Sequence, residues 1–121
     1  MKTKSNSTRE PVWQAVAAAQ EKKAQDVALL KLTEVADFTD YFLLCTGSSN
    51  RQVQAIADEV DRSLSLAGLR PAHVEGYNRA EWVLMDYVDF VVHIFSEKAR
   101  AFYDLERLWR TAPRLPIAGQ V

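Results

Sequence analysis

Residues 82–95 read WVLMDYVDFVVHIF. They form two runs rich in aromatic and β-branched residues, Trp82 to Tyr87 and Phe90 to Phe95, separated by a short turn at Val88 and Asp89. Such residues fit the pleated surface of a sheet, and two runs of this kind around a short turn are typical of a β-hairpin. We therefore predict that this hairpin forms the centre of a sheet.

Three more strands are predicted on the N-terminal side of the hairpin. Short apolar runs at Asp26 to Leu32 and at Asp40 to Thr46 are typical of largely buried strands, and we expect them to pair antiparallel. Arg70 to Tyr77 is a weaker strand, and Pro71 places it at an edge or at a strand start. Together with the hairpin, these segments predict five strands.

Three helices are predicted around these strands. The first begins at Pro11 and continues through Ala-rich sequence to about Lys23. The second begins at Ser49, because Ser49 and Gln52 have the spacing of a capping box, and it ends at Gly68. The third extends from Ser96, as N-cap, to about Arg110.

The order of elements, α-β-β-α-β-β-β-α, predicts an α+β fold in which helices pack on a mixed five-stranded sheet in a two-layer domain. With 121 residues, one domain is expected. Residues 1–10 are polar and are interpreted as a flexible leader, residues 11–112 as the single domain, and residues 113–121 as a loose C-terminal tail.

The composition limits the classes of partner. The formal net charge is −1, so the basic excess of a protein that grips nucleic acid through phosphates is missing, and we expect little direct nucleic-acid contact. Cys45 is the single cysteine, which excludes an intramolecular disulfide and fits a reducing cytoplasm. No apolar stretch approaches the ~20 residues that span a bilayer. We expect a cytoplasmic protein without membrane contact.

Two features could carry phosphate or metal chemistry. The turn Gly47-Ser48-Ser49 leads into a helix and could bind an anion, but it lacks the lysine of a P-loop, and an ordinary strand-to-helix turn explains it better. Asp86 and Asp89 are the nearest approach to a carboxylate pair for metal ions, but their separation across a turn predicts no convergence. We predict no cofactor and no metal.

His93 is the main candidate for acid–base chemistry. It follows Asp89 by four residues, and Ser48 or Ser96 could be imagined as a nucleophile. No motif supports such a triad, and a histidine inside an apolar strand is more often part of the hydrogen-bonded structure or of an interface. The histidines and Cys45 show no zinc spacing. We therefore predict no catalytic residue and no enzyme activity.

The strand at residues 82–87 is apolar on both faces. One face carries Trp82, Leu84 and Asp86, and the other carries Val83, Met85 and Tyr87. If helices cover only one face, the other presents large hydrophobes to a protein partner. If helices bury both faces, these residues are core, and the pattern alone leaves both possibilities open. The mixed-charge helix surface around Tyr103 and Arg107 is a candidate for the rim of such an interface or for ordinary solvated surface.

Six segments in order resemble the Iojap or ribosomal silencing factor family over residues 12–110. They are 39–42 (TDYF), 45–53 (CTGSSNRQV), 75–76 (EG), 82–87 (WVLMDY), 91–93 (VVH) and 102–109 (FYDLERLW). The resemblance implies a nucleotidyltransferase-like fold without the metal-binding carboxylates of the enzymes, and a homodimer when the protein is free. It also implies binding to ribosomal protein L fourteen of the large ribosomal subunit. The bound protein would sterically block joining of the small subunit and so repress translation when nutrients are scarce.

Carried over by motif, the partner-binding residues are Trp82, Leu84 and Asp86, followed by Glu75, Tyr103 and Arg107. We expect Trp82 to be an aromatic anchor, Leu84 its apolar neighbour and Asp86 a carboxylate for a basic partner.

Two positions depart from the family's pattern. Val88 and Ala80 stand where the family commonly has glycine, and Val88 disfavours a turn that needs positive φ.

Overall fold

A computed structural model describes residues 10–118 of the chain. Its helices are α1 (Pro11–Glu21), α2 (Asn50–Leu66), α3 (Glu97–Tyr103) and α4 (Leu105–Leu108). Its strands are β1 (Gln25–Lys31), β2 (Tyr41–Gly47), β3 (His73–Glu75), β4 (Trp82–Asp86), β5 (Phe90–Ser96) and β6 (Arg114–Leu115). The mixed α+β fold predicted from the sequence is confirmed.

The strands form one mixed sheet in the order β3-β4-β5-β2-β1-β6. The predicted β1–β2 pair and the β4–β5 hairpin are both antiparallel, and β3 lies at an edge, as expected. β2 and β5 pair in parallel, with Leu44 beside His93, and this pairing joins the two antiparallel halves. β5 therefore lies inside the sheet, between β4 and β2.

The prediction of five strands is wrong, because the sheet has six strands within the described part of the chain. The sixth strand is β6, which lies within the segment predicted as a loose tail and pairs with β1 through Leu29 and Leu115. A strand of two residues has no periodicity that a sequence can reveal. It forms because the outer edge of β1 offers unpaired backbone groups to the returning chain.

Both predicted ends of α2 are confirmed. The Ser49 side chain accepts a hydrogen bond from the Gln52 backbone N–H at 3.0 Å. At the other end Gly68 has a φ of 84°, its N–H donates to the Ser65 carbonyl, and the Leu69 N–H donates to the Leu64 carbonyl. This pair of bonds is the Schellman motif, which satisfies carbonyls at the end of a helix.

The last helix differs from its prediction as one continuous helix to about Arg110. It breaks at Asp104, which has a φ of 49° and a ψ of 53° and separates α3 from α4. Aspartate tolerates this left-handed conformation better than most residues, so the chain can change direction there. The break lets α4 continue along a different line from α3.

Two apolar clusters lie on opposite faces of the sheet. α1 and α2 pack on the face that carries Val83, Met85 and Ile94. The opposite face carries Phe95 and is partly covered by α3, α4 and the chain after α4. This arrangement corrects the two-layer expectation, because helices lie on both faces of the sheet.

Four expectations stay predictions in whole or in part. Residues 1–9 of the predicted leader and residues 119–121 of the predicted tail lie outside the described residues. The boundaries of the single domain at residues 11 and 112 stay a prediction, and so does the likeness to a nucleotidyltransferase fold.

Candidate partner-binding site

The face that α3 and α4 leave partly open contains most of the predicted site. The residues of β4 alternate as predicted: Trp82, Leu84 and Asp86 are partly exposed, whereas Val83 and Met85 are buried. Leu84 lies between Glu75 on β3 and His93 on β5. Sheet pairing thus places four of the predicted residues, Glu75, Trp82, Leu84 and Asp86, on one continuous surface.

Trp82 is held by contacts on several sides. Its indole N–H donates to Nδ1 of His93 at 3.1 Å. Its ring centroid lies 5.1 Å from that of Phe95 and 4.6 Å from that of Tyr103. Tyr103 is half exposed on α3, so the predicted residues Trp82 and Tyr103 form one aromatic surface that remains accessible at its outer side.

The aromatic surface continues beyond the residues predicted from the sequence. The Phe42 ring lies 4.5 Å from the His93 ring and 5.6 Å from the Trp109 ring, and both arrangements are edge-to-face. Phe38, in the loop before β2, contacts Phe42 and Trp109 and is 60% exposed. We name the set Trp82, His93, Phe42, Trp109, Phe38 and Tyr103 the aromatic cluster.

His93 has a structural place in this cluster, which agrees with the reading of His93 as hydrogen-bonded structure. It is 3% exposed, and burial lowers its pKa to about 4. The imidazole is therefore neutral near pH 7, and its Nδ1 accepts a hydrogen bond from the Trp82 indole N–H rather than from the hydroxyl of a nucleophile. The geometry provides no acid–base pair at His93.

Asp86 supports the turn that follows β4. Its Oδ1 accepts a hydrogen bond from the Val88 backbone N–H at 2.8 Å. The Asp89 N–H donates to the Tyr87 carbonyl at 2.9 Å, so Val88 is the central residue of a three-residue turn and has a φ of 74°. Val88 therefore adopts the positive φ that its side chain disfavours, and Asp86 bonds to its N–H.

The edge of the site next to β3 is polar. Glu75 and His73 are both exposed, lie two residues apart on β3 and form an ion pair when the imidazole is protonated. His73 pairs with Asp86 across the strands. A partner that lies on Leu84 therefore meets carboxylates at Glu75 and Asp86 and a histidine between them.

Arg107 stands apart from the other predicted residues. It is exposed on α4, and within residues 10–118 its guanidinium has no ion-pair or hydrogen-bond partner. The neighbouring Glu106 instead bonds Arg100 at 3.0 Å and Arg114 at 2.8 Å. The hydrogen bond from Arg100 is the main reason that the pKa of Glu106 lies below its usual value. This network ties α4 to α3 and β6.

The turn before α2 uses its polar groups internally. The N–H and the hydroxyl of Ser48 both donate to Oε1 of Gln52, and the Gln52 side-chain amide donates to the Lys22 and Lys23 carbonyls. These groups are engaged within the chain, which supports the reading of the turn as a strand-to-helix connection rather than an anion site.

Comparison with known proteins decides the family. The sequence model of the family described as ribosomal silencing factor during starvation matches residues 5–120. The chain belongs to the ribosomal silencing factor family. The protein named ribosomal silencing factor RsfS of Halalkalibacterium halodurans is 41% identical over 95% of this chain and 98% of that protein. The protein of the same name from Bacillus subtilis is 42% identical over 82% and 84% of the two chains.

The same family links are visible in more distant proteins and in structure. The protein named Iojap of maize chloroplasts is 34% identical over 83% of this chain and 43% of that protein. A crystal structure of a protein from Chromobacterium violaceum superposes with a TM-score of 0.83 at 33% identity and covers 93% of both chains. The predicted membership in the Iojap or ribosomal silencing factor family is confirmed.

Both departures from the family's pattern fall at unusual backbone positions. Ala80 has a φ of 57° and Val88 has a φ of 74°, so both occupy the left-handed region that glycine adopts without strain. Ala80 is buried, and its N–H donates to the Gly76 carbonyl. The two positions where the resemblance leads us to expect glycine therefore have the backbone conformation that glycine adopts most easily.

Residues 10–118 contain neither a metal-binding cluster nor a membrane-spanning helix. No group of three or more His, Cys, Asp or Glu side chains there is arranged to hold a metal ion. In the same range, no helix is both long and apolar enough to cross a membrane.

Cys45 is fully buried, and burial raises the pKa of its thiol to about 12, so it packs as a small apolar residue.

Proposed function

We propose that this protein represses translation by binding the large ribosomal subunit through ribosomal protein L fourteen, so that the small subunit cannot join when nutrients are limiting. Membership in the ribosomal silencing factor family supports the ribosome as the target. The observation that carries the proposal is the partly open sheet face around Trp82, where an aromatic cluster lies beside exposed carboxylates.

We propose that Trp82 is the anchor of the interface. A tryptophan that is fixed by its neighbours and still partly exposed is the type of residue that dominates binding energy at protein interfaces. Leu84 supplies the adjacent apolar contact, and Tyr103 extends the aromatic surface along α3. Arg107, whose guanidinium has no partner among residues 10–118, is a candidate for the rim.

The charges around the site favour a basic protein segment over bare RNA. Glu75 and Asp86 lie at the edge of the face, and the chain as a whole carries a net charge of −1. Carboxylates repel phosphates and form charge-assisted hydrogen bonds with lysine and arginine. We therefore propose little direct nucleic-acid contact and a steric rather than an enzymatic mechanism, carried out in the cytoplasm.

Co-sedimentation with isolated large ribosomal subunits tests the proposal. Wild type should sediment with large subunits and reduce the joining of added small subunits on a sucrose gradient. Trp82→Ala should weaken binding by about 30-fold, which corresponds to the loss of about 2 kcal/mol from an aromatic anchor. The matched control is Leu66→Ala on the end of α2, because Leu66 is 77% exposed and lies outside the site.

Three outcomes would contradict parts of the proposal. A wild-type protein that neither sediments with large subunits nor reduces joining refutes the function. Full binding by a folded Trp82→Ala variant moves the interface away from this face. Binding to large subunits without binding to purified ribosomal protein L fourteen identifies a different ribosomal partner.

We also propose that the free protein is a homodimer. Large hydrophobic side chains such as Phe102 and Leu108 are exposed on α3 and α4, next to the aromatic cluster, and a second copy would remove them from water. Light scattering coupled to size exclusion should give twice the mass of the 13.7 kDa chain. A mass of one chain across micromolar concentrations would contradict the dimer.

A further inference from the structure

His93 occupies a position where an apolar residue would be expected. It lies in the middle of β5, between Leu84 on β4 and Leu44 on β2, and is 3% exposed. Its Nε2 is buried without a hydrogen-bond partner among the described residues. Burial of an unpaired polar group lowers stability, so the core alone gives no reason for a histidine there.

Among residues 10–118, the one hydrogen-bond partner of the imidazole is Trp82. An indole N–H is a donor only, so Nδ1 of His93 must be the acceptor in the 3.1 Å bond between them. Because Nδ1 is the acceptor, the neutral imidazole of His93 carries its proton on Nε2. The lowered pKa of His93 keeps the acceptor available across the neutral range.

The other neighbours of Trp82 restrict its position but not its orientation. Phe95 and Tyr103 meet the indole through tilted ring contacts, with interplanar angles of 32° and 48°. Such contacts are compatible with more than one placement of the N–H edge, because the two faces of an aromatic ring are alike in charge and shape. The bond to His93 removes that freedom by drawing the N–H edge towards the sheet.

We propose that His93 is a positioning residue that holds the Trp82 indole with its N–H turned inward, so that a protein partner meets only the apolar part of the ring. The link to the partner rests on the proposed function of this face. An inward N–H needs no hydrogen-bond acceptor from the partner, and a fixed ring loses less rotational freedom when it binds. His93 thus acts through Trp82 without touching the partner.

The test uses two substitutions of His93, one that removes the hydrogen-bond acceptor and one that keeps it. His93→Phe keeps a ring and removes the acceptor. His93→Asn places Oδ1 near the position of Nδ1 and therefore keeps an acceptor while removing most of the ring. Thermal melts establish that each full-length variant is folded. If His93→Phe fails to fold, the same measurements are made on His93→Asn.

The first readout is the indole signal of Trp82 in ¹⁵N-labelled protein without any ribosome. The chain has three tryptophans, so single Trp→Phe variants assign the three signals. In His93→Phe the Trp82 indole proton should shift and exchange with solvent about tenfold faster, since the loss of one hydrogen bond corresponds to about this factor. His93→Asn should restore much of the protection. An unchanged signal in His93→Phe would overturn the positioning role.

The second readout is binding to large ribosomal subunits. His93→Phe should bind about tenfold more weakly than wild type, should be rescued in part by His93→Asn, and should have no added effect in a Trp82→Ala background. Unchanged binding by His93→Phe, or an additive loss with Trp82→Ala, would overturn the inference. If wild type does not bind large subunits, the proposed function fails, while the indole signal still decides whether His93 orients Trp82.

Discussion

Replacement of Gly76 by alanine tests how closely the backbone before β4 approaches Trp82. Gly76 has a φ of 82°, and a Cβ atom added there would lie 2.1 Å from the Trp82 carbonyl oxygen. Gly68 provides a matched control, because its φ is 84° and nothing lies within 4 Å of the corresponding Cβ. The two glycines therefore share the backbone strain of a substitution and differ in steric overlap.

The expected magnitudes follow from that difference. Alanine in the left-handed region costs about 1–2 kcal/mol, and the lower entropy of the unfolded chain offsets about 0.4–1 kcal/mol of it. Gly68→Ala should thus cost about 1 kcal/mol. At Gly76 the backbone of Trp82 must also move by about 1 Å, and relief of such an overlap typically costs about 1–3 kcal/mol more.

Urea denaturation of both variants measures the prediction. Gly76→Ala should be less stable than Gly68→Ala by about 2 kcal/mol, which corresponds to about 8 °C in melting temperature for a domain of this size. Because the strain is shared, equal stability of the two variants would refute the close approach of Gly76 to Trp82. Binding to large subunits should decrease only in Gly76→Ala, since Gly68 lies just after the C-terminal end of α2 and outside the candidate site.

Three further predictions concern stability. Val88→Gly should raise the free energy of unfolding by up to about 1 kcal/mol, because Val88 has positive φ and its side chain is 62% exposed. A lower melting temperature of Val88→Gly would contradict backbone strain at Val88. Burial lowers the pKa of His93 from 6.5 to about 4, so the unfolded chain binds the proton first, and stability should fall by about 3 kcal/mol as pH drops from 6.5 to 4. Urea titrations across this range should show a weaker loss in His93→Phe. Glu106 has a lowered pKa, so its bonds to Arg100 and Arg114 stabilise the fold above its ordinary pKa of 4.5. Glu106→Gln should reduce stability at pH 7, and the deficit should shrink as pH falls below 4.5; a deficit independent of pH would rule out the ion pairs as its cause.

Some elements were predictable because their signals are local. α2 combines an N-cap at Ser49, an apolar stripe and a glycine stop at Gly68, and all three act within one or two turns of helix. The β4–β5 hairpin is similarly encoded by two apolar runs and the short turn between them. The pairing of β6 was missed, because it depends on contact with the distant strand β1. The break of the last helix at Asp104 was also missed, because an aspartate inside a helical pattern gives no clear stop signal.

The site divides in the same way. Strand alternation placed Trp82, Leu84 and Asp86 on one face, and the register confirms it. The resemblance to the ribosomal silencing factor family added Glu75 and Tyr103, which do join that surface. Phe42 was not predicted as part of the site, because the parallel pairing of β2 with β5 has no short-range signal in the sequence.

The sequence by itself determined the strand and helix types, the family and the face of β4 on which Trp82 lies, since periodicity, caps and motifs are properties of neighbouring residues. Only the tertiary structure decided what surrounds Trp82. α3 and α4 fold over part of the second sheet face, and parallel pairing brings Phe42 next to His93. These contacts join residues that are far apart in the chain, so packing sets the position of the Trp82 indole, and its N–H donates to His93 on the neighbouring strand.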